Sequence, residues 1–205
     1  MLDLIVLTAD LDAQEGLQGL LQWRIPSLGI RPVSFRIIRH VRKDAGTFSE
    51  APEILRPFCD KANHALVFFD HEGCGREQDS VAACEQDCRE RLSANGWGSR
   101  AEVIVFDPEL EIWAWSGSPH LDRVLGWRGK KPALRHWLNT QGLMEADRQK
   151  PARPKEAMEA AIHHARIQWS AALFREIARS VSLQRCQTPS FIKFKETLKE
   201  WFPVQ

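Results

Sequence analysis

The chain has 205 residues, 43% of them hydrophobic, and its 28 Lys and Arg against 27 Asp and Glu leave a formal net charge of +1. This length suits one sizeable domain, or a domain with an appendage, with enough apolar content for a real core. The near-cancelled charge excludes a global field that would draw the protein to nucleic acid or a membrane, so any such surface must be a local patch.

No run approaches the ~20 apolar residues that span a bilayer, and Met1-Leu2-Asp3 leads into a strand without the basic start of a signal peptide. A cytoplasmic protein with no membrane partner is the expectation. The five cysteines are odd in number and form no CxxC pair, which argues against a disulfide framework and a structural zinc site. Cys84 and Cys88 lie one helical turn apart, a spacing more common for packed residues than for a metal pair.

In chain order, Leu2 to Thr8 (LDLIVLT) is an unbroken apolar strand that ends at Asp10 and Asp12. Asp12 is placed as the cap of a helix running to about Trp23, with Leu17, Leu20 and Leu21 buried. Val33 to Ile38 is a second strand, followed by Arg39, His40, Arg42 and Lys43 in a loop that Gly46 marks as flexible. That basic cluster is either a phosphate contact or ordinary surface charge. Ser49, with Pro52 near the helix start, opens a second helix to about Lys61.

His64 to Gly75 (HALVFFDHEGCG) is the stretch around which the chain is organised. Ala65 to Phe69 has no polar alternation, as in a strand covered on both faces of a parallel sheet. Asp70 and Glu72 stand where that strand leaves the sheet, and ligands gather at such carboxyl ends. A helix from about Val81 to Ala94 follows, closed by Asn95-Gly96. A fourth strand, Val103 to Phe106, ends at Asp107, Glu109 and Glu111. Asp107-Pro108-Glu109 reads as a helix start, the preferred assignment, or as the beginning of a strand through Trp115.

From Ser118 the pattern is helical: Pro119 to Leu125, Pro132 to Thr140, Pro154 to Ala165, Ser170 to Val181 and Pro189 to Phe202. The connections Gly126 to Lys131 and Asp147 to Lys155 are basic. The expected organisation is an α/β core over residues 1–117 and a helical extension over 118–205 packed upon it. Trp127, amid Arg128, Lys130 and Lys131, is a candidate base-stacking platform. Trp113, Trp137, Trp169 and Trp201 read as core. His71 is a proton-shuttle candidate or, more commonly for such a position, a plain loop residue.

If the strands are parallel neighbours, three of them finish in acid on one edge of the sheet. Clustered carboxylates repel unless protons or cations intervene, and such hard oxygen donors suit magnesium or manganese. There is no P-loop, no GxGxxG after the first strand and no GxSxG elbow.

A strand ending in one acid, a later strand ending in an acid-x-acid pair and Rossmann-like alternation between them resemble the Toprim fold of topoisomerases, primases and several nucleases. The pattern maps onto Asp10, then Asp70 and Glu72. The segments DPELEIWAWS, PKEAMEAAI and RCQTPSFIKFKETLKEWF resemble the small Toprim-like proteins of bacterial phage-defence islands, a group that includes a component of the methylation-associated defence system. The resemblance covers nearly the whole chain. It departs from the Toprim pattern at Asp10, where Glu is usual, and at Glu72, where Asp is usual.

The resemblance implies a Rossmannoid parallel sheet with helices on both faces and a magnesium-dependent nuclease acting in antiviral defence, beside nucleic acid and other defence proteins. Asp70 and Glu72 would hold one or two Mg2+ or Mn2+ ions, with Glu109 or Glu111 as a further ligand. Asp10 would position or deprotonate the attacking group, and Glu111 joins the catalytic set. Arg128, Lys130, Lys131 and Lys155 would meet phosphate. The competing expectation is a non-catalytic scaffold or sensor, motivated by the two departures.

Overall fold

The computed structural model describes residues 1–204. Its four strands are β1 (Leu2–Thr8), β2 (Phe35–Arg39), β3 (Ala62–Asp70) and β4 (Ala101–Phe106). All neighbours pair in parallel, in the order β2-β1-β3-β4. The molecule is therefore an α/β protein with a parallel sheet covered by helices, as the alternation of apolar runs and helical periods predicts.

The strands read as continuous apolar runs because both sheet faces are buried. Leu4, Val6, Leu66, Phe68, Ile104 and Phe106 point to one core, while Ile5, Leu7, Val67, Phe69, Val103 and Val105 point to the other. Helix α1 (Leu11–Trp23) covers the first face, followed by the short α2 (Ile25–Leu28); α3 (Lys43–Leu55) and α4 (Val81–Leu92) cover the second. Five more helices complete the chain: α5 (Pro119–Val124), α6 (Leu134–Thr140), α7 (Pro154–Ala165), α8 (Ala171–Ser180) and α9 (Pro189–Trp201). Their apolar residues join the first core, which runs without a break from Leu4 to Phe202. No helix among the described residues is long and apolar enough to cross a membrane.

β4 is an edge strand, and three of its outward backbone groups are bonded to side chains. The Val103 N–H donates to Glu102 Oε1 (2.9 Å), the Val105 N–H to Glu85 Oε1 (3.1 Å), and the Val103 carbonyl accepts from Lys193 Nζ (2.7 Å). Lys193 also pairs with Glu85 and Glu102. These contacts blunt the edge around Val103 and Val105 against pairing with another chain.

Several local expectations are corrected. The cap of α1 is Asp10, not Asp12: Asp10 has extended backbone and its Oδ1 accepts the Ala13 N–H at 2.8 Å. The second helix begins at Lys43 rather than Ser49 and gives way to a short 3-10 turn, Arg56–Phe58. Gly46 lies inside that helix because a Cβ there would sit 2.4 Å from the His40 ring, so it serves close packing rather than flexibility. The segment after Asp107 is neither an α-helix nor a strand but a 3-10 turn over Leu110–Trp113. The helix expected from Pro132 starts at Leu134. Trp113 is core, against Phe106, Phe191 and Phe194, while Trp137, Trp169 and Trp201 pack against it partly buried.

Candidate functional site

The chain leaves β1 for β2 on one side, and β3 lies on the other side of β1, so the crevice between the ends of β1 and β3 is a topological switch point. Asp10 follows β1 and Asp70 ends β3, one on each side of it. The Asp70 N–H donates to Asp44 Oδ1 (2.8 Å), and Asp70 Oδ1 accepts the Leu110 N–H (3.0 Å). Asp70 thus ties the start of α3 to the turn after β4.

That turn carries two further acids. Glu109 precedes it in extended conformation and pairs with Lys155 Nζ at 3.6 Å. Glu111, within the turn, is only 4% exposed, and its Oε2 is buried with no hydrogen-bond partner. A buried carboxylate oxygen left without a donor is costly. Glu72 lies outside this group: it is exposed, its N–H donates to the Pro108 carbonyl (3.2 Å), and its charge is felt at Glu109.

The electrostatics mark the rest as one cluster. As a residue Asp70 is only partly buried, but its carboxyl is desolvated and surrounded by the charges of Asp44, Glu111, Asp10 and Glu109, which hold it well above the usual carboxylate range. Desolvation pushes Glu111 up to about 7, with Glu109 and Asp10 adding repulsion against the pull of Lys155. Desolvation also raises Asp44, Glu109 and Asp12. Lys155 on α7 is raised: burial opposes its charge, but the carboxylates of Glu111, Glu109, Asp70 and Asp10 outweigh it. Protons in such a cluster belong to the group rather than to single residues.

The all-oxygen donor set and the orphaned Glu111 oxygen fit a hard divalent cation such as magnesium or manganese. Among the described residues, however, no three His, Cys, Asp or Glu side chains are already grouped as a metal shell. Lys155 supplies a positive charge in that place.

The other candidates fall elsewhere. Arg128 and Lys130 line a separate depression with His120 and Arg123, and Lys131 is exposed beside it. Trp127 is no stacking platform: it is buried, its indole N–H donates to the Ala161 carbonyl (3.2 Å), and Trp137 and His164 pack on it. His71 Nε2 lies 3.0 Å from the Asp79 carbonyl in the loop after β3. Of the basic cluster after β2, His40 is buried, with Nδ1 accepting the Arg42 N–H (3.0 Å) and Nε2 3.0 Å from Glu50 Oε2; Arg42 pairs with the same Glu50. Burial raises the Cys84 and Cys88 thiols to about 11 and about 12, which makes them packing residues rather than nucleophiles.

Asp44 is the member of the cluster that the sequence reading missed. It follows four basic residues in five positions and looks like part of their loop. The available signal was Phe48, Ala51 and Leu55 at helical spacing, which extends the helix back to an acid in its first turn. No family model, no curated protein and no solved structure matches the chain.

Proposed function

We propose that the protein is a magnesium- or manganese-dependent enzyme that processes phosphodiester bonds, a nuclease of bacterial antiviral defence. The observation that carries this reading is the unpartnered, buried oxygen of Glu111 in a carboxylate cluster at the sheet's switch point. The defence setting rests on the sequence resemblance alone.

In this reading Asp70 and Glu111 would hold the cation, with Glu109 and Asp44 beside them in the cluster. A bound divalent ion supplies polarisation of the phosphate and stabilisation of the leaving oxygen. Asp10, with Oδ1 committed to the Ala13 N–H, keeps its other oxygen to orient or accept a proton from the attacking group. Lys155 neutralises negative charge on the phosphate once a cation takes its place among the carboxylates.

Calorimetry with manganese and magnesium, together with nuclease assays on single- and double-stranded DNA and RNA, tests the proposal. Saturating metal should raise thermal stability by mass action, about 2.7 kcal/mol at a hundredfold excess over Kd. Asp70→Asn should abolish that gain and the cleavage while leaving the fold intact, since an amide oxygen still accepts from Leu110. Absence of metal binding by the wild type would reject it.

A non-catalytic scaffold is the second reading. It is favoured by Lys155, which already balances part of the cluster's charge, and by the fact that among the described residues no three-ligand shell is preassembled.

A further inference from the structure

Beside the acidic crevice, on the β2 side, lies an open cleft of ≈ 500 Å³ lined by Asp10, Asp12, Arg39, Lys43, Lys155 and Trp169. We propose that this cleft seats one single strand of nucleic acid, with a phosphate among Arg39, Lys43 and Lys155 and a base against Trp169. The inference rests on the phosphodiester reading above and adds to it where the strand lies and that it is single.

The four basic residues from the end of β2 to the start of α3 divide into two kinds. His40 and Arg42 are fixed by Glu50 and hold the loop's shape. Arg39 and Lys43 are exposed and, among the described residues, form no ion pair, yet both face the cleft. Lys43 also has a φ of 50°, in the left-handed region, where a lysine carries a backbone cost. That conformation starts α3 beside the cleft.

On the inner side, Asp10 and Asp12 would repel a phosphate approaching the acidic edge. Lys43 and Lys155 both act electrostatically on Asp12, which places cations where that repulsion must be offset. Lys155 belongs to both the cleft and the carboxylate cluster, so a phosphate held here borders the cluster directly.

Trp169 gives the cleft a flat apolar wall in a fixed orientation. Its indole N–H donates to Asp12 Oδ2 (3.0 Å) and its ring rests on Phe174, with centroids 5.3 Å apart. Val41, 91% exposed, adds an unpartnered apolar side chain to the lining. The volume falls in the range of sites for small molecules, about 300–1,000 Å³. A volume of that size admits a nucleotide unit, and bases are free to stack on an aromatic side chain only where they are unpaired.

Fluorescence anisotropy with a labelled oligo-dT, in EDTA, reads this site apart from metal binding and cleavage. The Arg39→Gln, Lys43→Gln double variant should weaken binding by about tenfold or more and flatten the plot of log K against log salt by about 1.4, roughly 0.7 for each lost cation. Trp169→Leu should weaken binding by about tenfold at an unchanged slope, and Trp169→Phe, which keeps a stacking face, should restore most of it. Reversing Arg128, Lys130 and Lys131 should leave the oligonucleotide affinity near wild type. The proposal is overturned if the double variant keeps the wild-type affinity and slope, or if only the reversal at the distant loop abolishes binding. A protein that binds manganese but no oligonucleotide loses the strand site and keeps the metal reading. One that binds oligonucleotide through Arg39 and Lys43 but no metal keeps the strand site and loses the hydrolytic reading.

Discussion

Glu111 is the residue whose burial has the clearest consequence for stability. Its carboxyl is pushed up to about 7, chiefly by desolvation. Below about pH 4.5 the folded and unfolded chains both keep this proton, and the group costs nothing. As pH rises from about 4.5 to about 7 the unfolded chain ionises first, so stability falls; above about 7 the full cost, on the order of 3 kcal/mol, is present. Asp70, Asp44, Glu109 and Asp12 are displaced in the same direction and steepen the decline. Glu111→Gln should therefore match the wild type near pH 5 and exceed its Tm by several degrees near pH 8, in thermal denaturation without divalent metal. Equal melting temperatures at the higher pH would show that Glu111 finds a partner in solution. The residues legible in the sequence were those at or just beyond strand ends, Asp10, Asp70, Glu109 and Glu111, together with Lys155. Asp44 was not, because its place depends on where α3 begins, and Glu72 sits exposed apart from the cluster because a spacing of two residues does not say which way a loop turns.

At the scale of elements, α3 illustrates why helix boundaries were harder to read than strands. The apolar runs gave β1 its observed limits and placed β3 and β4 within a few residues, because burial on both faces writes itself into the sequence. In α3 the one proline and the one glycine point the wrong way. Pro52 lies inside the helix rather than at its start, and it lacks the N–H that the Phe48 carbonyl would accept. Arg91 on α4 answers this: Nη2 donates to the Phe48 carbonyl (2.8 Å), Nη1 to the Ser49 carbonyl (3.1 Å), and the guanidinium lies 4.7 Å from the Phe48 ring centroid. Only tertiary contact makes this proline tolerable, so no local pattern could reveal it. Arg91→Ala should cost about 1–3 kcal/mol in urea unfolding, through unsatisfied carbonyls and the lost ring contact. Pro52→Ala should recover part of that loss in the Arg91→Ala background by restoring the N–H to Phe48. If the two substitutions are strictly additive, the Arg91 bridge is not what offsets the proline.

The whole molecule depends on its C-terminal helices because of how the sheet is connected. Parallel crossovers are right-handed, so the β1 to β2 connection places α1 on one face, and the connections from β2 to β3 and from β3 to β4 place α3 and α4 on the other. This leaves the first face of β3 and β4 without a crossover helix. There α9 packs: Phe68 meets Phe194 edge to face at 5.6 Å, and Trp113 stacks on Phe194 at 5.4 Å. Helix α8 packs along α1 so closely that a Cβ at Gly19 would lie 2.9 Å from that of Ala178, and Arg24 Nη1 donates to the Ala178, Arg179 and Val181 carbonyls. The lack of strands from Ser118 onward points to a helical extension packed on the core; it could not show that α9 completes the sheet. A fragment ending at Gly117 would expose Phe68, Ile104 and Phe106, each completely buried in the full chain. It would also lose Lys155 from the acidic cluster and Lys193 from the β4 edge, leaving repelling carboxylates and an open Val103 carbonyl. The fragment should therefore aggregate or give a loosely packed state that binds a hydrophobic dye, whereas the full chain should unfold in one transition with coincident fluorescence and far-ultraviolet circular dichroism. A fragment with a sharp, reversible transition of its own would mean that the α/β core folds without α9, and that the helices after Ser118 dock onto a sheet already formed.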